Sequence, residues 1–353
     1  MDKIIIAMSG GVDSSVAAWL LKDAGYDVIG VSFRVIEKDN LSLNESNNCC
    51  SSEDISDARQ VCEKIGIPFY SIDVSDKFKF TVIEPFIKAY SKGETPNPCL
   101  ECNYHVKFAT LLKIAKSLGA KLATGHYADI CNYKGIKTIK RSMDKKKDQT
   151  YYLYNTQLEV LNILHFPLGK FEKSEIRKIA FKIGLKIFDK PDSQKICFIP
   201  NDYVSFIEES LGKFPIGNLV NINGDKIAKH NGIHNYTIGQ RRGIGVGIGY
   251  KAYVIDINPK NNEVTIGPKE ALKCNRILAK NIHQLVSIKL WPKKILLQIT
   301  SHGIIYSATW KLLKNNKLLI NFKEFGLGIA LGQAAVIYDN NFLLGGGTIS
   351  NEN

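Results

Sequence analysis

The chain has 353 residues, of which 44% are hydrophobic and 23% charged, a composition typical of a globular protein with two or three domains. Its start lacks the basic segment and long apolar core of a signal peptide, and no apolar run approaches the ~18 residues of a membrane span. We therefore expect a cytoplasmic protein with no membrane partner. Lys and Arg number 47 against 34 acidic residues, and the net charge of +13 favours a polyanionic partner such as nucleic acid.

Strands and helices alternate along the first half of the chain. Short apolar, β-branched runs predict strands at 4–7, 26–33, 68–74 and 121–126. Helical spacing of apolar residues predicts helices at 14–24, 52–65, 78–90, 104–118 and 174–183. Such alternation indicates an α/β fold in which a doubly wound parallel sheet carries helices on both faces.

The second half has a different character. Between Lys134 and Lys147 there are seven basic residues and one acid, which predicts a solvated, flexible segment or an anion-binding arm. After about residue 205 glycines become frequent and short alternating strands dominate. Strands separated by turn residues from about 275 onwards predict a small β-barrel or sandwich, of which we favour the barrel. We therefore divide the chain into a catalytic domain at 1–204, a small central domain at 205–274 and a C-terminal β-barrel at 275–353.

A glycine-rich loop, Ser9-Gly10-Gly11-Val12-Asp13-Ser14, follows the first strand. Glycines let backbone N–H groups approach phosphate oxygens, and the next helix directs its positive end at the same anion. Asp13 would repel a phosphate, so a carboxylate there implies a bridging Mg²⁺ or an orienting role. The loop lacks the lysine of the Walker pattern and resembles the PP-loop of enzymes that cleave ATP between its α- and β-phosphates. A Gly-Gly turn without any nucleotide is the simpler alternative.

Eight cysteines in a long chain of this kind are expected mostly as thiols. Cys99 and Cys102 lie three residues apart in a segment that Pro96 and Pro98 stiffen. Such a pair can bind a metal, form a redox couple or place one reactive thiolate beside another. A structural zinc site would need four ligands, usually from a second close pair. Cys197 lies in an apolar stretch, where a buried thiol is the simplest interpretation.

Several longer motifs occur in a fixed order along nearly the whole chain. They are MSGGVDSS at 8–15, TPNP at 95–98 with Cys102-Asn103, ATGHYA at 123–128, KDQTYYL at 147–153, DSQ at 192–194 with ICFI at 196–199, YTIGQRRG at 236–243 and LGGG at 344–347. With these motifs the sequence resembles the tRNA-specific 2-thiouridylases of the PP-loop ATP pyrophosphatase superfamily. Those enzymes replace the C2 oxygen of the wobble uridine of certain tRNAs with sulfur.

The resemblance implies a role for individual residues. ATP would be bound by Ala7, Met8, Ser9, Gly10, Gly11, Val12, Asp13 and Ser14, with Phe33 near the adenine and Gly125 against the nucleotide. The target base would be approached by Asn97, Pro98 and Cys99. Cys102 would be the catalytic cysteine, and Cys197 would carry the persulfide. Contacts with tRNA would come from His126, Lys147, Asp148, Gln149 and Gln333.

The implied reaction has two halves. ATP adenylates the C2 oxygen, and persulfide sulfur then replaces it, which gives 2-thiouridine, AMP and diphosphate. Either the Cys197 persulfide attacks C2, or Cys102 attacks the persulfide and releases hydrosulfide; a Cys102–Cys197 disulfide then closes and must be reduced. The implied cofactors and partners are ATP, Mg²⁺, a tRNA with a wobble uridine, and a sulfur-carrier protein or cysteine desulfurase. We expect a monomer when the protein is free.

The chain departs from the family pattern at two places. Cys99 stands where many members have Asp, so Cys99, Cys102 and Cys197 could instead hold an iron–sulfur cluster with one open iron. An Arg-Tyr pair expected near Thr300-Ser301 is missing, and that tRNA contact is not transferred. Two other functions stay open at this point: another PP-loop ligase of the argininosuccinate or GMP synthetase type, and a basic RNA-binding or zinc-holding module without catalysis.

Overall fold

The computed structural model describes residues 1–35, 52–192, 196–199 and 202–351. The strands of its N-terminal region are β1 (Lys3–Ala7), β2 (Asp27–Arg34), β3 (Phe69–Asp73), β4 (Lys121–Thr124), β5 (Ala128–Tyr133), β6 (Ile136–Arg141) and β7 (Leu164–His165). Five of them form a parallel sheet in the order β3-β2-β1-β4-β7. Because the order reverses between β1 and β4, the carboxyl end of β1 lies at a switch point where ligands of such sheets bind.

Helices cover both faces of this sheet. They are Val12–Asp23, Ser52–Ile65, the consecutive segments Ser75–Phe78, Lys79–Ile83 and Glu84–Tyr90, the consecutive segments Pro98–Glu101, Cys102–Phe108 and Ala109–Leu118, then Leu158–Ile163, Lys173–Lys182 and Tyr203–Leu211. Successive side chains of β1 enter different layers: Ile4 and Ile6 pack in the cluster of Val16, whereas Ile5 packs in the cluster of Leu111. The predicted doubly wound sheet is confirmed. No helix in the described ranges is long and apolar enough to cross a membrane.

The helix predicted at 104–118 begins earlier, at Pro98. Asn97 caps it, since its side chain accepts a hydrogen bond from the backbone N–H of Cys99 at 3.2 Å, and Pro98 occupies the first turn, where its missing N–H costs nothing. Cys102 therefore lies inside a helix, at the start of the π-helical segment Cys102–Phe108. Short π-helical segments occur often at functional sites.

The central region contains β8 (Gly217–Val220), β9 (Lys226–His230), β10 (Tyr253–Asn258) and β11 (Glu263–Gly267), in the sheet order β10-β11-β8-β9. The C-terminal region contains β12 (Lys273–Gln284), β13 (Lys294–Gln298), β14 (Ile305–Leu313), β15 (Lys317–Leu327), β16 (Ala334–Asp339) and β17 (Phe342–Ser350). These last six strands are antiparallel, and pairing of β12 with β17 closes them into a ring. The predicted C-terminal β-barrel is confirmed.

The basic segment after residue 132 is more ordered than its charge suggests. β5 and β6 form a hairpin around Lys134 and Gly135, both with positive φ. β6 pairs with β17, and Ile139 is fully buried opposite Leu343. The expectation of a solvated, flexible segment is therefore wrong for Ile136–Arg141, because apolar residues between the charges attach the hairpin to the barrel.

Candidate active site

The glycine-rich loop joins β1 to the helix Val12–Asp23. Gly10 has a φ of 74°, a backbone conformation that glycine adopts without strain. A Cβ at Gly10 would lie 2.2 Å from the carbonyl oxygen of Asp54, so the helix Ser52–Ile65 packs directly on the loop. Gly11 is the N-cap and supplies no side-chain cap in the described structure. The N–H groups of the first helical turn therefore face the loop as potential anion donors.

The loop serines divide into two kinds. Ser14 and Ser15 are buried, and each hydroxyl donates to the carbonyl oxygen of Gly11, at 3.2 and 2.9 Å. Ser9 is exposed and lies 3.2 Å from the Ser14 hydroxyl. Ser9 is thus the loop hydroxyl best placed to meet a ligand.

The carboxylate of Asp13 is surrounded by donors. The Lys173 ammonium lies 2.7 and 2.8 Å from its two oxygens, and the Tyr127 hydroxyl donates to it at 2.8 Å. Lys173 is only 9% exposed and also contacts Asp192 at 2.7 Å. The repulsion that Asp13 would exert on a phosphate is therefore offset by a buried cation.

Lys173 was missed by reasoning from the sequence, although a weak indication exists. It falls on the buried face of its helix, three residues before Ile176 and seven before Ala180, both fully buried. A lysine in such a position needs a partner, since burial of an unpaired ammonium is costly. The sequence could indicate that need but not the partner.

A second lysine lies against the loop from the other side. The Lys190 ammonium contacts Asp54 at 2.8 Å and Asp57 at 2.6 Å, and it lies 3.5 Å from the carbonyl oxygen of Gly10. Burial alone would lower the pKa of Lys190, but the hydrogen bonds with the two carboxylates outweigh it and raise the pKa. Lys190 stays charged at neutral pH beside the loop.

The end of β4 also reaches the loop. A Cβ at Gly125 would lie 2.7 Å from the backbone nitrogen of Ser14, so only glycine allows this approach. His126 follows, with its Nδ1 2.8 Å from the Thr124 hydroxyl. Burial and the nearby charge of Lys107 lower the pKa of His126 to about 3, so its imidazole is neutral at physiological pH.

Side chains of other residues expected to bind ATP lie in the core. Met8 and Val12 are 3% exposed and belong to the cluster on one face of the sheet. Any contact of these two with a nucleotide would have to use their backbone atoms. Phe33 is 5% exposed at the carboxyl end of β2 and packs in the cluster on the opposite face. Its position near an adenine stays a prediction.

The two cysteines expected to be catalytic share one side of the sheet. Cys102 is 7% exposed and belongs to the hydrophobic cluster that contains Ile5, and Cys197 packs against the same cluster. Phe198, the residue after Cys197, packs against two aromatic rings, with its centroid 5.5 Å from that of Phe78 and 5.4 Å from that of Phe86. Ser193 to Lys195 lie outside the described residues.

Cys99 faces solvent, whereas Cys102 points into the core. Among the described residues, no group of three or more Cys, His, Asp or Glu side chains is arranged to hold a metal ion. The ligand set of Cys99, Cys102 and Cys197 considered for an iron–sulfur cluster is therefore not assembled in this structure. The same holds in the described ranges for a structural zinc site.

Three residues expected to contact tRNA form internal contacts beside the loop. Lys147 is 2.8 Å from Asp192, with 38% of its side chain exposed. Asp148 is 7% exposed and accepts hydrogen bonds from Arg141 at 2.8 Å and from the Thr150 hydroxyl at 2.7 Å. The side-chain oxygen of Gln149 accepts from the backbone N–H of Tyr127 at 2.9 Å. Their contacts with tRNA stay predictions; Lys147 and Gln149 are half-buried, whereas Asp148 is buried.

The barrel touches the segment that leads to Cys99. The Gln333 amide donates to the carbonyl oxygen of Thr95 at 2.6 Å, and the Thr95 N–H donates to the carbonyl oxygen of Leu331 at 2.8 Å. A Cβ at Gly332 would lie 3.3 Å from the Thr95 nitrogen, which is closer than ordinary contact. The loop between β15 and β16 therefore holds the approach to Asn97 and Pro98, and a tRNA contact of Gln333 stays a prediction.

Three family models match successive parts of the chain. A family model described as the tRNA methyl transferase HUP domain matches residues 2–201. The tRNA methyl transferase PRC-barrel domain matches 204–268, and the aminomethyltransferase β-barrel domain matches 275–349. Among solved structures, NMN synthetase from Francisella tularensis is 16% identical and covers 60% of this chain and 78% of its own, with a TM-score of 0.33, too low to support an argument.

Curated relatives match nearly end to end. The tRNA-specific 2-thiouridylase MnmA 2 of Clostridium tetani is 43% identical over 98% of both chains. MnmA 1 of Clostridium botulinum is 43% identical over 98% of this chain and 99% of its own, and MnmA of Rickettsia canadensis is 42% identical over 99% and 96%. With this identity over almost the full length of each relative, the chain belongs to the family of tRNA-specific 2-thiouridylases.

Proposed function

We propose that this protein is an ATP-dependent tRNA-uridine 2-sulfurtransferase. It adenylates the C2 oxygen of the wobble uridine and replaces that oxygen with sulfur from a cysteine persulfide, which yields 2-thiouridine, AMP and diphosphate. The observation that supports this most is that one sheet carries a PP-loop at its switch point and has Cys102 and Cys197 in or against the hydrophobic cluster that contains Ile5 of its central strand.

The loop supplies what the adenylation half needs. A uridine oxygen is a poor leaving group, and transfer of AMP to it turns it into a good one. Diphosphate would be held by the N–H groups of the first helical turn, the Ser9 hydroxyl and the nearby ammonium groups of Lys173 and Lys190. Mg²⁺ brought with ATP would offset phosphate charge, and Asp13 is the loop carboxylate that would hold it, since Mg²⁺ in such sites uses one or two carboxylates besides the phosphates.

The cysteines supply the sulfur-transfer half. In one route the terminal sulfur of the Cys197 persulfide attacks C2 and AMP leaves; the Cys102 thiolate then attacks the Cys197 sulfur, which frees the thiocarbonyl and closes a disulfide. In the other, Cys102 attacks first and releases hydrosulfide, which displaces AMP. Both routes end with a Cys102–Cys197 disulfide that two electrons from a reductant must reopen.

Substitution of the cysteines tests this chemistry. Cys102→Ser and Cys197→Ser should each abolish formation of 2-thiouridine, because serine neither carries a persulfide nor forms the disulfide. The measurement is mass spectrometry of tRNA nucleosides after incubation with ATP and a persulfide donor. Cys131→Ser, in the β5–β6 hairpin, is the matched control and should retain activity. Wild-type thiolation by Cys197→Ser would rule out the persulfide route.

The alternatives give different results in the same assay. ATP cleavage to AMP that is independent of tRNA would indicate another PP-loop ligase. An anaerobically purified protein without iron but with full activity would exclude the iron–sulfur route through Cys99. The protein's partners would be a tRNA, held by the insertion at 134–147 and the regions 205–274 and 275–353, and a sulfur-carrier protein or cysteine desulfurase. Action as a monomer and location in the cytoplasm are part of the same proposal.

A further inference from the structure

Two carboxylates of the helix Ser52–Ile65 lie beside the glycine-rich loop and share one ammonium. Asp54 and Asp57 are 2.8 and 2.6 Å from the Nζ of Lys190, and the same ammonium is 3.5 Å from the carbonyl oxygen of Gly10. The side chains of the lysine and of the two aspartates are 30%, 15% and 21% exposed. Solvent therefore screens these charges only in part.

The helix that carries the two carboxylates is fixed against the loop. A Cβ at Gly10 would lie 2.2 Å from the carbonyl oxygen of Asp54 and 2.7 Å from its Cα, so the first turn of the helix packs on the loop backbone. Asp57 follows three residues later and lies on the same face of the helix. Phosphates bound at the loop would therefore approach one ammonium and two carboxylates, a group with one excess negative charge.

Lys190 is held by its backbone as well as by its ammonium. The Arg177 guanidinium donates to the carbonyl oxygens of Phe188 at 2.8 Å and of Lys190 at 3.0 Å. Burial would lower the pKa of Lys190, but its hydrogen bonds with the two aspartates outweigh burial and raise the pKa. The protein thus offers an acceptor to each of the three ammonium N–H groups, and the lysine is a fixed positive charge at neutral pH.

We propose that Lys190 is a positioning residue that makes the loop accessible to a nucleotide by neutralising the carboxylates beside it. The inference rests on the proposed function, because it takes ATP as the ligand of the loop. Lys190 acts on the phosphates through its charge, which cancels one of the two carboxylate charges and fixes the helix Ser52–Ile65 on the loop. A lysine with this role is needed only while Asp54 and Asp57 are both charged. A lysine that served mainly as a phosphate donor would be needed whatever residue stood at position 57.

Four proteins test this difference: the wild type, Lys190→Met, Asp57→Asn and the double variant. Calorimetric titration with Mg²⁺ and the α,β-methylene analogue of ATP measures the affinity of each. One unit of charge beside the loop should change that affinity about three- to tenfold, since the group is partly buried. Lys190→Met should therefore bind more weakly by this factor, and Asp57→Asn should bind more tightly by the same factor. The double variant has the same local charge as the wild type and should recover its affinity.

A matched control and a salt series separate charge from packing. Lys64 is exposed on the same helix, its ammonium donates to the carbonyl oxygen of Gly184, and it belongs to no ion pair between residues that the structure describes. Lys64→Met should bind the analogue as the wild type does. At about 1 M salt, where the Debye length is about 3 Å, the difference in affinity between Lys190→Met and the wild type should shrink. Loss of packing alone would not respond to salt in this way.

Asp57→Asn alone keeps the test decisive if Lys190→Met does not fold, because only the neutralising role predicts tighter binding in this variant. Absence of nucleotide binding by the wild type would overturn the proposed function. Two results would overturn the role of Lys190 alone, with the wild type still binding the analogue. One is an Asp57→Asn variant that binds no more tightly than the wild type, and the other is a double variant that binds as weakly as Lys190→Met.

Discussion

At the scale of single residues, close approach between backbone segments decides which residues the phosphate loop tolerates. Gly10 has a φ of 74°, and a Cβ at this position would lie 2.2 Å from the carbonyl oxygen of Asp54. Gly25, at the end of the helix that follows, has a φ of 82° and open space around the position of a Cβ. Substitution of each glycine by alanine therefore distinguishes the effect of backbone conformation on stability from the effect of a steric clash.

Gly10→Ala should be more damaging than Gly25→Ala. The positive φ alone should lower the free energy of unfolding by about 1 kcal/mol in Gly25→Ala, with ATP affinity unchanged. Gly10→Ala should cost more, about 2–4 kcal/mol, and weaken ATP binding at least about tenfold, since the loop must move away from the helix Ser52–Ile65. Urea unfolding and calorimetric titration measure both effects; equal losses in the two variants would contradict the role of the close approach.

His126 is expected to act as a neutral group. Burial and the charge of Lys107 lower the pKa of His126 to about 3, below its ordinary value of 6.5. Its proton NMR shift should therefore stay constant between pH 5 and 8, and His126→Gln should leave the salt dependence of tRNA binding unchanged. Because the unfolded chain takes up the proton more readily, this histidine should lower stability as the pH falls from about 6.5 towards 3. A titration midpoint near pH 6.5 would contradict this prediction.

At the scale of elements, the β5–β6 hairpin joins the N-terminal domain to the barrel through buried polar contacts. Arg141, at the end of β6, contacts Asp148 at 2.8 Å and Gln298 of β13 at 2.7 Å, and its guanidinium lies 3.8 Å from the centre of the Tyr338 ring. The side chains of the ion pair are only 9% and 4% exposed. Removal of one partner would leave a buried, uncompensated charge.

Arg141→Met should therefore lower the free energy of unfolding by about 3–5 kcal/mol. The matched control is Lys116→Met, which breaks the pair of Lys116 with Glu159, whose side chains are 63% and 67% exposed. That change should cost less than about 1 kcal/mol, because water and salt screen an exposed pair. Denaturant unfolding at constant pH measures both. Similar losses of unfolding free energy in the two variants would show that burial does not increase the contribution of the Arg141–Asp148 pair to stability.

At the scale of the whole molecule, the net charge of +13 is the property most relevant to a large anionic substrate. Basic side chains occur in the β5–β6 hairpin and on barrel strands such as β12, where Lys273 and Arg276 are exposed. Phosphate contacts of this kind release counterions and depend on salt.

Affinity for tRNA should consequently fall steeply with salt. A protein that neutralises about six phosphates loses roughly 10³-fold in affinity between 50 and 200 mM salt. Filter binding with an unmodified tRNA at several salt concentrations measures the slope. Affinity for Mg·ATP over the same range is the internal comparison and should change far less, because fewer charges are involved. A tRNA affinity that is independent of salt would contradict a phosphate-dominated interface.

The sequence by itself determined the features that depend on neighbouring residues. The glycine-rich loop, the alternation of strands and helices and the turns between the C-terminal strands all follow from local backbone preference, and the structure contains each of them. The start of the helix at Pro98 is local too, since an Asn cap before a proline marks it, but that mark is missed when the prolines are treated only as stiffening.

Tertiary structure alone decided which distant residues complete the site. Lys173 meets Asp13 across 160 positions. At the junction of hairpin and barrel, away from the site, the Thr138 hydroxyl donates to the carbonyl oxygen of Leu343 across 205 positions. A periodic pattern indicates which face of a helix or strand is buried, but not which element covers that face. The partner of a buried charge follows from packing of the whole chain, and for this reason the contacts of Lys173 with Asp13 and Asp192 are visible only in the fold.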